Sequence, residues 1–195
     1  MHNKFNQKFK RKSYEIYAGE YFVTSEKNIV IQTLLGSCVA ACLQDDINQI
    51  TGINHFMLPG QSRSKELRYN DDYRYGINSM EILINTMMKK GAQRKNLKAK
   101  VFGGGRVLQN SLNRVSKSNV KFIKEFLEME EIPLLNHDLG GIVGRKIILL
   151  PDSFKVYLKK IEITSLSSQT IEREKELLEK SKEEKDQSGE LTMFE

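Results

Sequence analysis

The sequence predicts an α+β fold: a single domain with a layered, sandwich-like mixed β-sheet core flanked by two main α-helices. Three observations predict it. Short apolar runs of strand character recur from "EYFVT" onward, and two longer stretches carry apolar residues at helical spacing. Strands and helices also fail to alternate in the regular way that a doubly wound sheet requires. A chain of 195 residues is enough for one ordinary core and short for two.

Each element has its own warrant. "EYFVT" and "NIVIQTLLG" read as the first strands. "CVAACLQ" and "TGINHFML" flank the polar turn signal "DDIN", so they read as a hairpin with both faces largely covered. "INSMEILINTMMKKG" has apolar positions at Ile77, Met80, Ile82, Leu83, Ile84, Met87 and Met88, a helical pattern that ends at a stop, Gly91. "AKVFGGG" is a strand entering a glycine turn. "SNVKFIKEFLEMEEI" is a second amphipathic helix, with Ser118 as its cap and Pro133 past its end. "GRKIILLP" and "FKVYLKKIEI" form a second hairpin around "PDSF". "RYNDDYRYG" is expected as a loop offering Arg68, Tyr69, Arg74 and Tyr75 as contacts.

The net charge of +6 is unevenly distributed. Residues 1–12 hold five basic and no acidic side chains, and residues 1–14 are expected to be a flexible basic arm with little to bury. Residues 15–164 form the expected catalytic domain. From 165 to the end there are nine acidic and five basic residues, a charged tail with a thin apolar stripe in "TIEREKELLEKSKEEK" that is helical or disordered. The body is then left at about +5, which suits an acidic partner. Basic residues are not interleaved with aromatics, and no nucleic-acid motif appears, so nucleic acid is not expected as a partner. No apolar run reaches the ~18 residues of a membrane span, and the N-terminus lacks a signal peptide's hydrophobic segment. A cytoplasmic protein that does not insert into membrane is expected. Its two cysteines, Cys38 and Cys42, would be free thiols.

"LLGSC" and "INHF" raise the chemical question. With "DDIN" as a four-residue turn, antiparallel counting sets Cys38 opposite His55, at a Cβ spacing of roughly 5 Å. A free thiol has a pKa of about 8.5, and an imidazolium neighbour lowers it. His55 can take the thiol proton and return it to a leaving amine. Gly36 permits a sharp turn, and backbone N–H groups around Ser37 and Cys38 can face a developing oxyanion. The competing reading makes both residues ordinary members of a core, since a lone buried cysteine is usually a small hydrophobe. Cys42 keeps that structural reading. "FGGGR" lacks the spacing and the lysine of a P-loop and is read as a tight turn near the site. "HDLGG" is read as a turn bordering it, with no catalytic step assigned.

"TLLGSCVAACL" with "INHFMLP" resembles the signature of the CheD family of chemoreceptor glutamine deamidases. The likeness continues in "RYGINSMEILINTMMKKGA", "KAKVFGGG" and "HDLGGIVGRKIILLPDSFKVYLKKI", over about residues 18–162. The resemblance implies hydrolysis of glutamine side-chain amides on chemoreceptor cytoplasmic helices, giving glutamate and ammonia through a thioester. It implies Cys38 as nucleophile and His55 as base, with no cofactor and no metal. The family's third catalytic residue is an upstream threonine, carried over to Thr33, although an ungapped comparison with some members puts Gln32 there. A CheC-type phosphatase is implied as a second partner. The alternatives are another Cys-His enzyme, a protein amidase or transferase, and a docking module that does not catalyse.

Overall fold

The computed structural model describes residues 2–58, 71–107 and 112–162, with Glu172 and Glu176 beyond them. In chain order the elements are β1 (His2–Asn6), β2 (Arg11–Glu15), β3 (Tyr21–Thr24), β4 (Ile29–Leu35), β5 (Val39–Asp45), β6 (Ile50–Phe56) and α1 (Asp71–Lys89). They continue with β7 (Leu97–Gly103), α2 (Leu112–Met129), β8 (Leu134–Leu139), β9 (Gly144–Leu150) and β10 (Lys155–Ile161). The strands build two five-stranded sheets, ordered β1-β2-β4-β9-β10 and β3-β6-β5-β7-β8. Both are mixed, because β2 runs parallel to β4 and β7 parallel to β8. The α+β sandwich expected from the sequence is the fold observed.

Alternation along β5 explains the layers. Cys38, Ala40 and Cys42 join Ile31 of β4 and Ile147 of β9 in a core between the sheets. Val39, Ala41 and Leu43 point the other way, against Leu83 of α1 and Phe122 of α2. β5 and β6 are therefore covered on both faces, which is why they read as continuous apolar runs rather than alternating ones. Each fully buried Leu, Ile, Phe or Met contributes about 1.5–3 kcal/mol through removal from water.

Three local expectations are corrected. Residues 2–14, expected within a flexible arm, belong with Glu15 to a β1–β2 hairpin whose second strand pairs with β4. The basic side chains do not prevent this, since backbone pairing needs none of them and the strand buries Ser13 and leads into buried Ile16. Arg11 reaches Asp152 at 2.8 Å. α1 begins at Asp71, so Arg74 and Tyr75 are helical rather than in a loop, while Arg68 and Tyr69 lie outside the described residues. α2 begins at Leu112, which makes Ser118 a mid-helix residue and not a cap. The extra turn continues the apolar stripe through buried Val115, and Ser116 donates a hydrogen bond to the Gly104 carbonyl. The helix expected within the tail lies outside the described residues apart from Glu172 and Glu176.

α1 and α2 meet at Gly76, where an added Cβ would stand 2.6 Å from the Phe122 ring and 2.8 Å from Leu58. The two helices can approach this closely only without a side chain there. Gly76→Ala is expected to destabilise the fold by about 1–3 kcal/mol through overpacking, despite alanine's better helix propensity. Urea titration showing equal or greater stability would contradict that packing.

Candidate active site

The site is assembled from the ends of β4, β5, β6 and β7. The β5–β6 hairpin turns at Asp46–Gln49, one residue later than the sequence count assumed, and Asp45 pairs with Ile50. The cause is the Asp45 carboxylate. It accepts hydrogen bonds from the Ile47 and Asn48 backbones at 3.1 and 3.0 Å, and from Gln93 N–H at 2.8 Å, so it caps the turn from the strand end. His55 therefore stands opposite Ala40, and not opposite Cys38 as expected. The displacement is two positions, which preserves the face. Cys38 is the next residue along from Ala40 on the side that His55 occupies, a diagonal relation with Cα atoms on the order of 7 Å apart.

His55 is oriented from the facing sheet. Thr33 Oγ1 lies 2.8 Å from His55 Nδ1 and donates to the Ile16 carbonyl at 2.7 Å. A hydroxyl has one proton, and the carbonyl can only accept it. His55 Nδ1 must therefore be the donor in the other bond, which in the neutral imidazole leaves Nε2 without a proton. Thr33 faces inward between Ile31 and Leu35 on β4, whereas Gln32, the alternative for this place, sits on the opposite face by strand alternation. Cys38 has no solvent exposure, Thr33 has 1% and His55 3%.

The Gly-Ser-Cys backbone is held at three consecutive carbonyls. Gly36 O accepts from Gly105 N–H at 2.8 Å, Ser37 O from Asn119 Nδ2 at 2.9 Å, and Cys38 O from Gly104 N–H at 2.7 Å. "FGGGR", expected as a tight turn, instead leaves β7 at Gly103 without turning, and its glycines are there for contact with the segment around the thiol. Gly103 has φ +116°, and a Cβ on it would stand 2.2 Å from the Cys38 carbonyl oxygen. "HDLGG" borders the same region as the end of β8 and the following turn. Gly140 N–H donates to Gly103 O at 2.9 Å, and Arg106 N–H to Gly141 O at 2.9 Å. Buried Arg145 braces that turn through Asp138 Oδ1 at 2.7 Å and Gly140 O at 2.7 Å. Burial alone would raise the Asp138 carboxyl, but the Arg145 hydrogen bonds and charge bring it below its ordinary value.

Asn119 is the residue that sequence reasoning missed. It has no solvent exposure, sits in α2 on the stripe of Val115, Ile123 and Phe126, and accepts from Leu58 N–H at 2.8 Å while holding Ser37 O. A polar residue at an apolar position of an amphipathic helix was the available signal.

A cleft of about 460 Å³ opens beside the turn, lined by Gly104, Arg106, Lys117, Lys121, Gly140 and Gly141. Among the described residues, no group of three or more His, Cys, Asp or Glu side chains is placed to hold a metal ion, and no helix is long and apolar enough to cross a membrane.

Fold and site define a class: a two-sheet domain backed by helices, with a buried thiol, imidazole and hydroxyl on the facing surfaces of its sheets. Comparison with known proteins narrows it. A family profile described as CheD chemotactic sensory transduction matches residues 57–160. The chain is 41% identical to "Probable chemoreceptor glutamine deamidase CheD 1" of Shewanella oneidensis over 88% of this chain and 83% of that one. It is 46% identical to "Probable chemoreceptor glutamine deamidase CheD 1" of Geobacter sulfurreducens over 76% and 77% of the two chains. A solved Bacillus licheniformis protein, YfiH, aligns at a TM-score of 0.40 and 10% identity over 60% of this chain and 49% of its own, a likeness too weak to carry an argument. The chain belongs to the CheD family.

Cys42 is chemically distinct from a reactive thiol. Burial pushes it up to about 12, against a smaller opposing effect of Lys100, its partner across β5 and β7. Native protein treated with iodoacetamide at pH 8 is expected to carry no adduct on Cys42 until denaturant is added. A native Cys42 adduct found by peptide mapping would contradict this.

Proposed function

We propose that the protein deamidates glutamine side chains on the cytoplasmic helices of chemoreceptors, with Cys38 as nucleophile, His55 as general base and acid, and Thr33 orienting His55. The observation that carries the residue assignment is the Thr33–His55 hydrogen bond, which fixes the imidazole tautomer from the opposite sheet. The relatives named as chemoreceptor glutamine deamidases support the substrate class.

His55 Nε2 accepts the Cys38 proton as Sγ attacks the amide carbon. The C–N bond of the tetrahedral intermediate then breaks, and His55 returns the proton to the departing ammonia. Water adds to the thioester with His55 Nε2 again taking a proton, and the carboxylate and the Cys38 thiol are released. Backbone N–H groups of Ser37 and Cys38 face the oxyanion in this scheme, with Gly36 giving the bend that exposes them.

Cys38 is enclosed in the resting structure, so a glutamine side chain reaches the sulfur only when its cover parts. The cleft lined by Arg106, Lys117 and Lys121 gives a receptor segment room beside Gly104, whose N–H holds the Cys38 carbonyl, and its charge suits an acidic surface. The resemblance to the family adds a CheC-type phosphatase as a second partner and a cytoplasmic location.

Incubation with receptor cytoplasmic fragments is expected to add about one mass unit per glutamine converted, as NH₂ is replaced by OH in the thioester route. Cys38→Ala should reduce conversion to background, and its unaltered activity would remove the nucleophile from the scheme. Thr33→Val, which keeps shape but leaves Nδ1–H without its acceptor, is expected to lower kcat by about ten- to a hundredfold. A kcat equal to wild type would leave His55 orientation to some other group.

A further inference from the structure

We propose that Asn119 is a positioning residue for the reaction, aligning the Ser37–Cys38 peptide so that the Cys38 N–H is directed at the oxyanion of the tetrahedral intermediate. The inference rests on the reading of Cys38 as the nucleophile.

The geometry begins with a single peptide plane. Asn119 Nδ2 donates to the Ser37 carbonyl at 2.9 Å, and the C=O of Ser37 and the N–H of Cys38 point in opposite directions across one trans peptide. Fixing the carbonyl toward α2 therefore fixes the Cys38 N–H away from α2. Cys38 itself belongs to the core between the sheets, on the far side of β5 from the helices. The direction of the nucleophile's own N–H is thus set from the helix layer, while its sulfur lies in the layer between the sheets.

The neighbouring peptides are fixed by other means. Gly105 and Gly104 hold the Gly36 and Cys38 carbonyls through backbone bonds. The middle carbonyl is held by a side chain, and that side chain is fully buried. The other end of the Asn119 amide accepts from Leu58 N–H at 2.8 Å, three residues beyond His55. Ser37 Oγ adds a second tie to the same segment through Met57 Sδ at 3.6 Å. One amide group therefore couples the backbone before the nucleophile to the backbone after the base, its NH₂ donating and its carbonyl oxygen accepting. Leucine at this position would complete the apolar stripe of α2 but could make neither bond.

An oxyanion donor out of line is felt by a carbonyl attack and not by alkylation of the same sulfur, because displacement on iodoacetamide's CH₂ develops no oxyanion. The test compares the two at one pH on the full chain, with receptor fragment as substrate and with iodoacetamide as probe of Cys38. For Asn119→Ala, folded at the assay temperature by circular dichroism, kcat is expected to fall by roughly tenfold or more. KM should stay within about twofold of wild type, because the contact acts on the transition state. Cys38 alkylation should be no slower than in wild type. If Asn119→Ala does not fold, Asn119→Leu, which keeps the volume and can make neither bond, carries the same expectation. Deamidation within about twofold of wild type, a raised KM at unchanged kcat, or alkylation falling in parallel with kcat would overturn the proposal. Cys38→Ala, assayed alongside, separates that failure from failure of the nucleophile assignment, since only the latter predicts activity without the thiol.

Discussion

The antiparallel pairing of β5 with β6 is the constraint on which the site depends. It brings Cys38 and His55 to one face of one sheet, and its register is set at the far end by the Asp45 carboxylate holding the turn. A slip of one residue would send one of the two side chains to the helix layer, among Val39 and Leu43. The register is protected because both faces of both strands are buried, so any odd slip would exchange residues packed against α1 and α2 for residues packed against β4 and β9.

The second sheet contributes what a hairpin cannot. Thr33 reaches His55 across the sandwich, and the Ile16 carbonyl dictates which way its proton points. This fixes the imidazole in one tautomer within a water-poor layer, where an unsatisfied Nδ1–H would cost about 1–3 kcal/mol. The helix layer contributes through Asn119, and β7 through its glycines. Each layer of the fold therefore holds a different part of the same few residues.

Much of this was legible in order along the chain. Apolar runs, the glycine stop at Gly91 and the turn at "PDSF" gave elements close to those observed, because they depend on local periodicity and turn chemistry. Errors arose where side-chain character misled about backbone pairing. The basic residues near the N-terminus read as solvated, although β2 needs only its backbone to join β4. "RYNDDYRYG" read as a loop offering arginine and tyrosine contacts, whereas from Asp71 it is helical and Gly76 is where α1 can press against Phe122. The hairpin count was off by one at the turn because Asp45 acts through its side chain and not as a turn residue.

The sequence by itself determined the chemistry available: a thiol after a Gly-Ser pair, an imidazole on the next strand, and a threonine one strand earlier. Covalent order carries that information, since hairpin neighbours are brought together by local turn formation. Only the tertiary structure decided that Thr33 and not Gln32 meets His55, and that Asn119 and the Gly103–Gly105 segment grip the peptides around Cys38. Those contacts join residues from different layers, and their distances depend on how two sheets and a helix pack, which no local pattern along the chain encodes.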